Sequence, residues 1–192
     1  MRPILSITFF LLIMAAATDE LAETKMSLSR VGAIYELPLR IKDLQSEIQA
    51  RFISDEKIIA MGERLSKINP KLGISEIYTI CSMVEKYSSL QGIDTELVMA
   101  IIIVESNGRI DAVSPKGAVG LMQVMPHMAE ELGLKGDLFS IDTNIQLGTF
   151  ILADNIRRWG YHRGIERYFW GRGAADDRYI GRVLKVMEGF KG

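Results

Sequence analysis

The sequence predicts an all-α protein on three observations. Apolar residues recur every three or four positions in segment after segment. No stretch of useful length alternates apolar and polar residues, as a half-buried strand would. Glycine, Asn-Pro and capping residues fall between the periodic segments, where helices must stop and start.

Taken in order, the chain opens on an address. Met1-Arg2 gives a minimal positive end, and Ile4 to Ala17 is apolar. Ala15-Ala16-Ala17 puts small residues before the abruptly polar Thr18-Asp19-Glu20. The apolar run is shorter than the roughly 20 residues of a membrane span, so residues 1–17 read as a signal peptide, with an uncleaved membrane anchor as the alternative. No cysteine lies near the junction to carry a lipid. Secretion without stable membrane insertion is therefore expected once the leader is removed.

Residues 18 to about 36 lack clear periodicity and should form a frayed or loosely helical arm. Leu39, Ile41, Leu44 and Ile48, followed by Phe52, mark a first helix. Ser54-Asp55 is placed to cap a second, carrying Ile58, Ile59, Met61 and Leu65. Asn69-Pro70 ends it, because proline disfavours helix in the residue before it. Here falls the boundary between a short helical N-terminal extension, residues 18–72, and the main domain, residues 73–192.

From Ile74 the pattern strengthens. Ile77, Ile80, Cys81, Val84 and Tyr87 form one stripe, with Ser75 as N-cap and Gln91-Gly92 as stop. Asp94 caps the next helix, which runs to about Glu105 and is apolar nearly all round, the mark of a central element. Pro126 suits the first turn of another, with Glu130 and Glu131 near its positive end and Gly133 as its stop. Asp142 or Thr143 caps the helix that aligns Ile145, Thr149, Leu152, Ile156 and Trp159. Gly148 within it is an unfavourable helix residue, explained by close packing against a neighbour. Arg163 to Trp170 is a shorter helix ending at Gly171, and Ile180, Val183, Leu184, Met187 and Phe190 mark the last.

Composition bounds what such a protein does. Its 192 residues make one ordinary domain with a small extension, and 48% hydrophobic with 24% charged residues is normal for a soluble globular chain. Twenty-three basic side chains against 24 acidic ones argue against nucleic acid as a main partner, which would call for a basic face. Arg157-Arg158 with Arg163 and Arg167 is the local basic patch. Cys81 is the only cysteine, so no internal disulfide forms, and its apolar stripe makes it a buried structural thiol. His127 and His162 are isolated, with no helical two-histidine motif, so neither metal nor cofactor is expected. Gly171-Arg172-Gly173 lacks the strand and length of a nucleotide loop, and no serine sits in a nucleophile elbow.

Glu105 is the residue that carries chemistry. It closes the apolar run Leu97-Val98-Met99-Ala100-Ile101-Ile102-Ile103-Val104 and precedes Ser106-Asn107. Ile101 and Ile102 stand four and three residues before it, on its own helix face. Desolvation by such a face raises a carboxyl pKa and keeps the proton on, which suits a general acid.

Order and spacing extend this. Glu105-Ser106-Asn107, then Ser114-Pro115-Lys116-Gly117-Ala118, then Gly120-Leu121-Met122-Gln123-Val124-Met125-Pro126 resembles the soluble lytic transglycosylase catalytic domain, over roughly residues 75–190. The resemblance implies a lysozyme-like helical fold. It implies cleavage of the MurNAc–GlcNAc β-1,4 bond of peptidoglycan without water, leaving 1,6-anhydroMurNAc ends. One carboxyl, Glu105, would act as acid and then base, where ordinary glycosidases need two. Peptidoglycan glycan strands are then the partner, and the periplasmic or extracellular cell-wall space the location.

By the same resemblance Ser114 and Gln123 contact sugar acetamido and hydroxyl groups, and Met125 forms a pocket wall. Gly117 and Gly120 let the loop approach the sugar, and Tyr179 hydrogen-bonds Glu105 or the substrate. Two departures stand out. Met128-Ala129 replaces a threonine-alanine pair, and Tyr168-Phe169-Trp170-Gly171-Arg172-Gly173 replaces an alanine-tyrosine-asparagine-alanine-glycine signature. Trp170 or Phe169 would offer a stacking face there, or else pack in the core. Asn144-Ile145 and Gly148 follow the family and read as structural. The rival readings are a lysozyme-like muramidase using water and an inactive wall-binding module; residues 18–72 are a candidate surface for a protein partner.

Overall fold

A computed structural model describes residues 36–133, 136–171 and 178–190, apart from the side chains at 36–40 and 48–55. The expected leader and arm lie outside the described residues. The chain divides into two compact units, residues 1–52 and 53–192. Seven helices occur among the described residues: α1 Glu36–Ile68, α2 Ile74–Gln91, α3 Thr95–Ser106, α4 Pro126–Glu131, α5 Ile141–Trp159, α6 Tyr161–Trp170 and α7 Arg178–Glu188. Extended pairing among them is limited to isolated bridges, Val113 with Val119 and Val119 with Val124. The all-α expectation is met.

The break expected at Ser54-Asp55 is absent, and α1 runs through it. Serine and aspartate cost a helix interior only about 0.5 kcal/mol each, too little to interrupt it without proline or glycine. The stop at Asn69-Pro70 does hold. Asn69 N–H closes the last turn onto Leu65 O at 2.8 Å, and Asn69 Oδ1 accepts from Lys71 N–H at 3.3 Å. Met61 and Leu65, assigned by sequence to the extension, are buried in the core of the second unit, with Ile58 and Ile68 packed against it.

α3 is the axis of that core. Leu97, Val98, Met99, Ala100, Ile101 and Ile102 have no exposed surface. Each large side chain among them contributes about 1.5–3 kcal/mol by leaving water. α2 and α7 pack on α3, α2 also packs on α5, and α6 bridges α5 and α7. Ile80, Cys81, Val84 and Tyr87 of α2 are buried as their stripe predicts, and burial pushes the Cys81 thiol up to about 11.

Two helix starts and one charge placement differ from the reading. Gly73, not Ser75, is the N-cap of α2, because Glu76 reaches back to accept from Gly73 N–H at 2.7 Å. Ser140, not Asp142 or Thr143, precedes α5, whose first bond runs from Asn144 N–H to Ser140 O at 3.0 Å. α4 ends at Glu131, so Glu130 and Glu131 fill its last turn instead of its positive end. Trp159, expected on the buried face, is 46% exposed at the end of α5, with the Arg167 guanidinium 4.0 Å over its ring. No described helix is long and apolar enough to cross a membrane.

Gly148 has the close neighbour that its place in a helix calls for. A Cβ there would lie 2.5 Å from Met122 Sδ, so the glycine lets α5 press against the loop before α4. That loop carries most of the predicted site.

Candidate active site

Glu105 is the penultimate residue of α3, and the chain beyond it is tied back firmly. Ser106 Oγ donates to Ile102 O at 3.0 Å and accepts from Gly108 N–H at 3.1 Å. Asn107 takes the left-handed conformation at φ 52° and bonds to Ile103 O. Asparagine tolerates that region better than most residues. Ile101 and Ile102, about one helical turn before Glu105, are fully buried.

Facing it is α7. Tyr179 is 1% exposed, and its phenol donates to Glu105 Oε1 at 2.6 Å. Glu105 is one of the two partners expected for Tyr179. Burial raises the Glu105 pKa above its ordinary value, opposed by the Tyr179 hydrogen bond and by the positive charge of Arg182. No second carboxylate is among the described groups that shift it. Burial and the adjacent carboxyl push the Tyr179 phenol well up, so it stays a donor.

A second phenol stands close by. Tyr168 Oη donates to Met122 O at 2.8 Å, and its pKa is pushed well up by burial and then by the charge of Glu105. Sequence reasoning passed over Tyr168 as part of a lost signature, although Tyr168 and Gly171 keep that signature's tyrosine and final glycine. Arg182 was missed as well. Its only signal was a position one helical turn after Tyr179.

The loop from Gly108 to Met125 is held by its own backbone. Ser114 N–H bonds Ala118 O at 2.9 Å, and Ser114 Oγ accepts from Ala118 N–H at 3.0 Å. The hydroxyl thus closes the turn and keeps its own proton available. Gln123 takes the left-handed region at φ 51°, and its Nε2 donates to Ala112 O at 3.2 Å and Gly120 O at 3.0 Å. The amide oxygen takes part in neither bond. Met125 is half-buried and serves as N-cap of α4.

Gly120, expected against the sugar, is buried and faces inward. At φ 78°, a Cβ on it would meet Asn144 Nδ2 at 2.2 Å and Leu138 O at 2.8 Å. The glycine serves the approach of Asn144, which is the loop's internal anchor. Asn144 Oδ1 accepts from Met122 N–H at 2.8 Å, while Nδ2 donates to Val119 O at 2.9 Å and Leu138 O at 2.8 Å. That is the structural role read for it.

Of the two aromatic residues left open by sequence, neither packs in the core. Phe169 and Trp170 are 42% and 36% exposed. Phe169 stacks on the outer face of Tyr179, with ring centroids 4.3 Å apart. Among the described residues no group of histidine, cysteine and carboxylate side chains is arranged to hold a metal.

A half-buried carboxyl held above its usual range, with a phenol at hydrogen-bond distance and a cation nearby, can give up a proton and bear the resulting charge. Part of the chain is similar to known proteins. The transglycosylase SLT domain family matches residues 82–174. The transglycosylase of Enterobacteria phage PRD1 is 34% identical over 106 residues, covering 51% of this chain and 39% of the relative. An endo-type membrane-bound lytic murein transglycosylase A of Klebsiella pneumoniae is 32% identical over 95 residues, covering 44% and 47%. The matched stretch therefore spans less than half the length of either curated relative. Among solved structures, an inactive mutant of the lytic transglycosylase Slt from Pseudomonas aeruginosa aligns at 21% identity and a TM-score of 0.49, over 57% of this chain and 23% of that one.

Proposed function

Because the chain carries a domain of the soluble lytic transglycosylase family, we propose that it cleaves the MurNAc–GlcNAc β-1,4 bond of peptidoglycan non-hydrolytically, with Glu105 as acid and then base. The observation that carries this reading is the 2.6 Å bond from Tyr179 Oη to Glu105 Oε1, made where burial raises the carboxyl pKa.

The steps are those that the family resemblance implies for Glu105. Protonated Glu105 gives its proton to the glycosidic oxygen as the bond from the muramoyl anomeric carbon to that oxygen breaks. Negative charge appears on Glu105 at that moment, and the Tyr179 O–H already points at it. The muramoyl 6-hydroxyl then attacks the anomeric carbon and passes its proton to Glu105. One bond is lost and one gained, no water is consumed, and the carboxyl returns to its starting state. We assign the Ser114 hydroxyl and the Gln123 amide oxygen to the sugar's polar groups, and Met125 to the wall of the cleft. Gly120 acts through Asn144, by shaping the loop. The substrate lies outside the cytoplasmic membrane, which accords with export directed by residues 1–17.

Digestion of purified sacculi tests the reading. Muropeptides ending in 1,6-anhydroMurNAc are expected, and Glu105→Gln should release none. Hydrated ends in their place would make the protein a muramidase. Equal clearing of a sacculus suspension by wild type and Glu105→Gln would remove Glu105 from the reaction.

A further inference from the structure

Beside the Glu105–Tyr179 pair lies an open groove of about 610 Å³, lined chiefly by Phe169, Trp170, Tyr179, Arg178, Arg182 and Lys185. Its aromatic wall is continuous with the site. Phe169 stacks on Tyr179 with 16° between ring planes, and Trp170 meets Phe169 edge-on at 4.8 Å. The cations come from one helix: positions 178, 182 and 185 recur at helical spacing on α7. Arg182 stands 5.9 Å over the Phe169 ring and 5.6 Å over that of Tyr179. Neither Arg182 nor Lys185 forms an ion pair with any carboxylate among the described residues.

A solvated face is the ordinary home of helix cations, but these three line a concave wall beside exposed aromatic rings. The chain as a whole carries a net charge of only −1, so this clustering is local and not a general basic character. The groove's chemistry suits a ligand with carboxylates and with apolar or planar groups between them. The sugar rings of a glycan strand carry no charge. Where a peptide is attached to the muramoyl residue, the lactyl carboxyl is an amide and the negative charge sits on the peptide's own carboxylates.

We propose that this groove binds the anionic stem peptide borne by the muramoyl residue at the cleavage point, its carboxylates meeting Arg182 and Lys185 and its backbone lying on Phe169 and Trp170. The proposal rests on the peptidoglycan reading above and adds to it a preference for stem-bearing strands. The lactyl carboxylate of a stripped strand is the other source of the same charge, and the test separates the two.

Glycan strands from one sacculus preparation, with stems intact or removed by an amidase, are given to wild type, Lys185→Glu and the Arg182→Gln/Lys185→Gln double variant. Wild type should show the higher kcat/KM on stem-bearing strands. That ratio should fall about three- to tenfold in the variants, the effect of one or two partly exposed ion pairs. An unchanged ratio, or a wild type that favours stripped strands, overturns the proposal. If wild type frees anhydro ends from neither substrate, the reaction assignment fails by itself. The groove is then judged by co-sedimentation: preferential pelleting with stem-bearing sacculi that Lys185→Glu abolishes supports it, and equal pelleting with both sacculi ends it.

Discussion

Tyr179→Phe is the sharpest perturbation of the proposed chemistry, because it removes one oxygen and keeps the ring. The phenol donates to Glu105 Oε1 at 2.6 Å both before and after the carboxyl ionises, so only the change in strength of that bond affects the barrier. A neutral hydrogen bond contributes about 1 kcal/mol net, and one to a charged group about 1.5–3 kcal/mol. The gain on ionisation is therefore about 0.5–2 kcal/mol, which predicts roughly a 2- to 30-fold fall in kcat. KM should hardly move, since the ground state loses only the weaker bond. The pH profile gives a second readout with a definite sign. Tyr179 lowers the Glu105 pKa against the upward pull of burial, so without it the carboxyl keeps its proton to higher pH. The alkaline limb of the rate profile should move up. Initial rates of anhydro-end release from sacculi between pH 4 and pH 9 would measure both. A kcat within twofold of wild type with an unmoved alkaline limb would refute the reasoning, as would a loss confined to KM.

Two other outcomes follow from the same geometry. Glu105→Gln should raise stability at neutral pH. A carboxyl whose folded pKa lies above its unfolded value, ordinarily about 4.3, costs stability as pH rises between the two and carries that full cost above the folded one. Thermal melts should put the variant above wild type at pH 8 and bring the two together near pH 4; a gap that is constant with pH would contradict the burial argument. Asn144→Ala strips partners from Met122 N–H, Val119 O and Leu138 O in a site 1% exposed, at a cost of about 3 kcal/mol. Denaturant unfolding checks this, and a loss under 1 kcal/mol would mean that the loop does not depend on its anchor.

How much of this was legible in the sequence depends on how local each cause is. The central helix was legible because Leu97 to Val104 is apolar on every side, a pattern that only a fully buried element sustains. Glu105 was legible for the same reason, being the point at which that run ends. The continuity of α1 was not, since Ser54-Asp55 is a capping signal that a helix can pass through at little cost. Nor was the side on which Phe169 and Trp170 fall. A helix as short as α6 gives too few turns to fix its buried face, and the packing of α5 and α7 decides it. Arg182 is far from Glu105 in sequence, so the fold alone brings its charge to bear. Gly120 shows a subtler limit: its positive φ suits an exposed loop, yet the space beside it is filled from inside by Asn144.

The division of labour between α3 and α7 explains how one carboxyl could serve twice. Burial makes Glu105 reluctant to ionise, which favours holding the proton but also makes giving it up costly. Tyr179 and Arg182, both on α7, lower that cost by holding the anion once it forms. Burial without them would leave a good acceptor and a poor donor; they without burial would leave a carboxylate already ionised before substrate arrives. The balance depends on the spacing of two helices. Ile180 and Val183, which share the helix of Tyr179 and Arg182, are buried in the core that α3 runs through, so the same packing that stabilises the domain sets the distance from phenol to carboxyl.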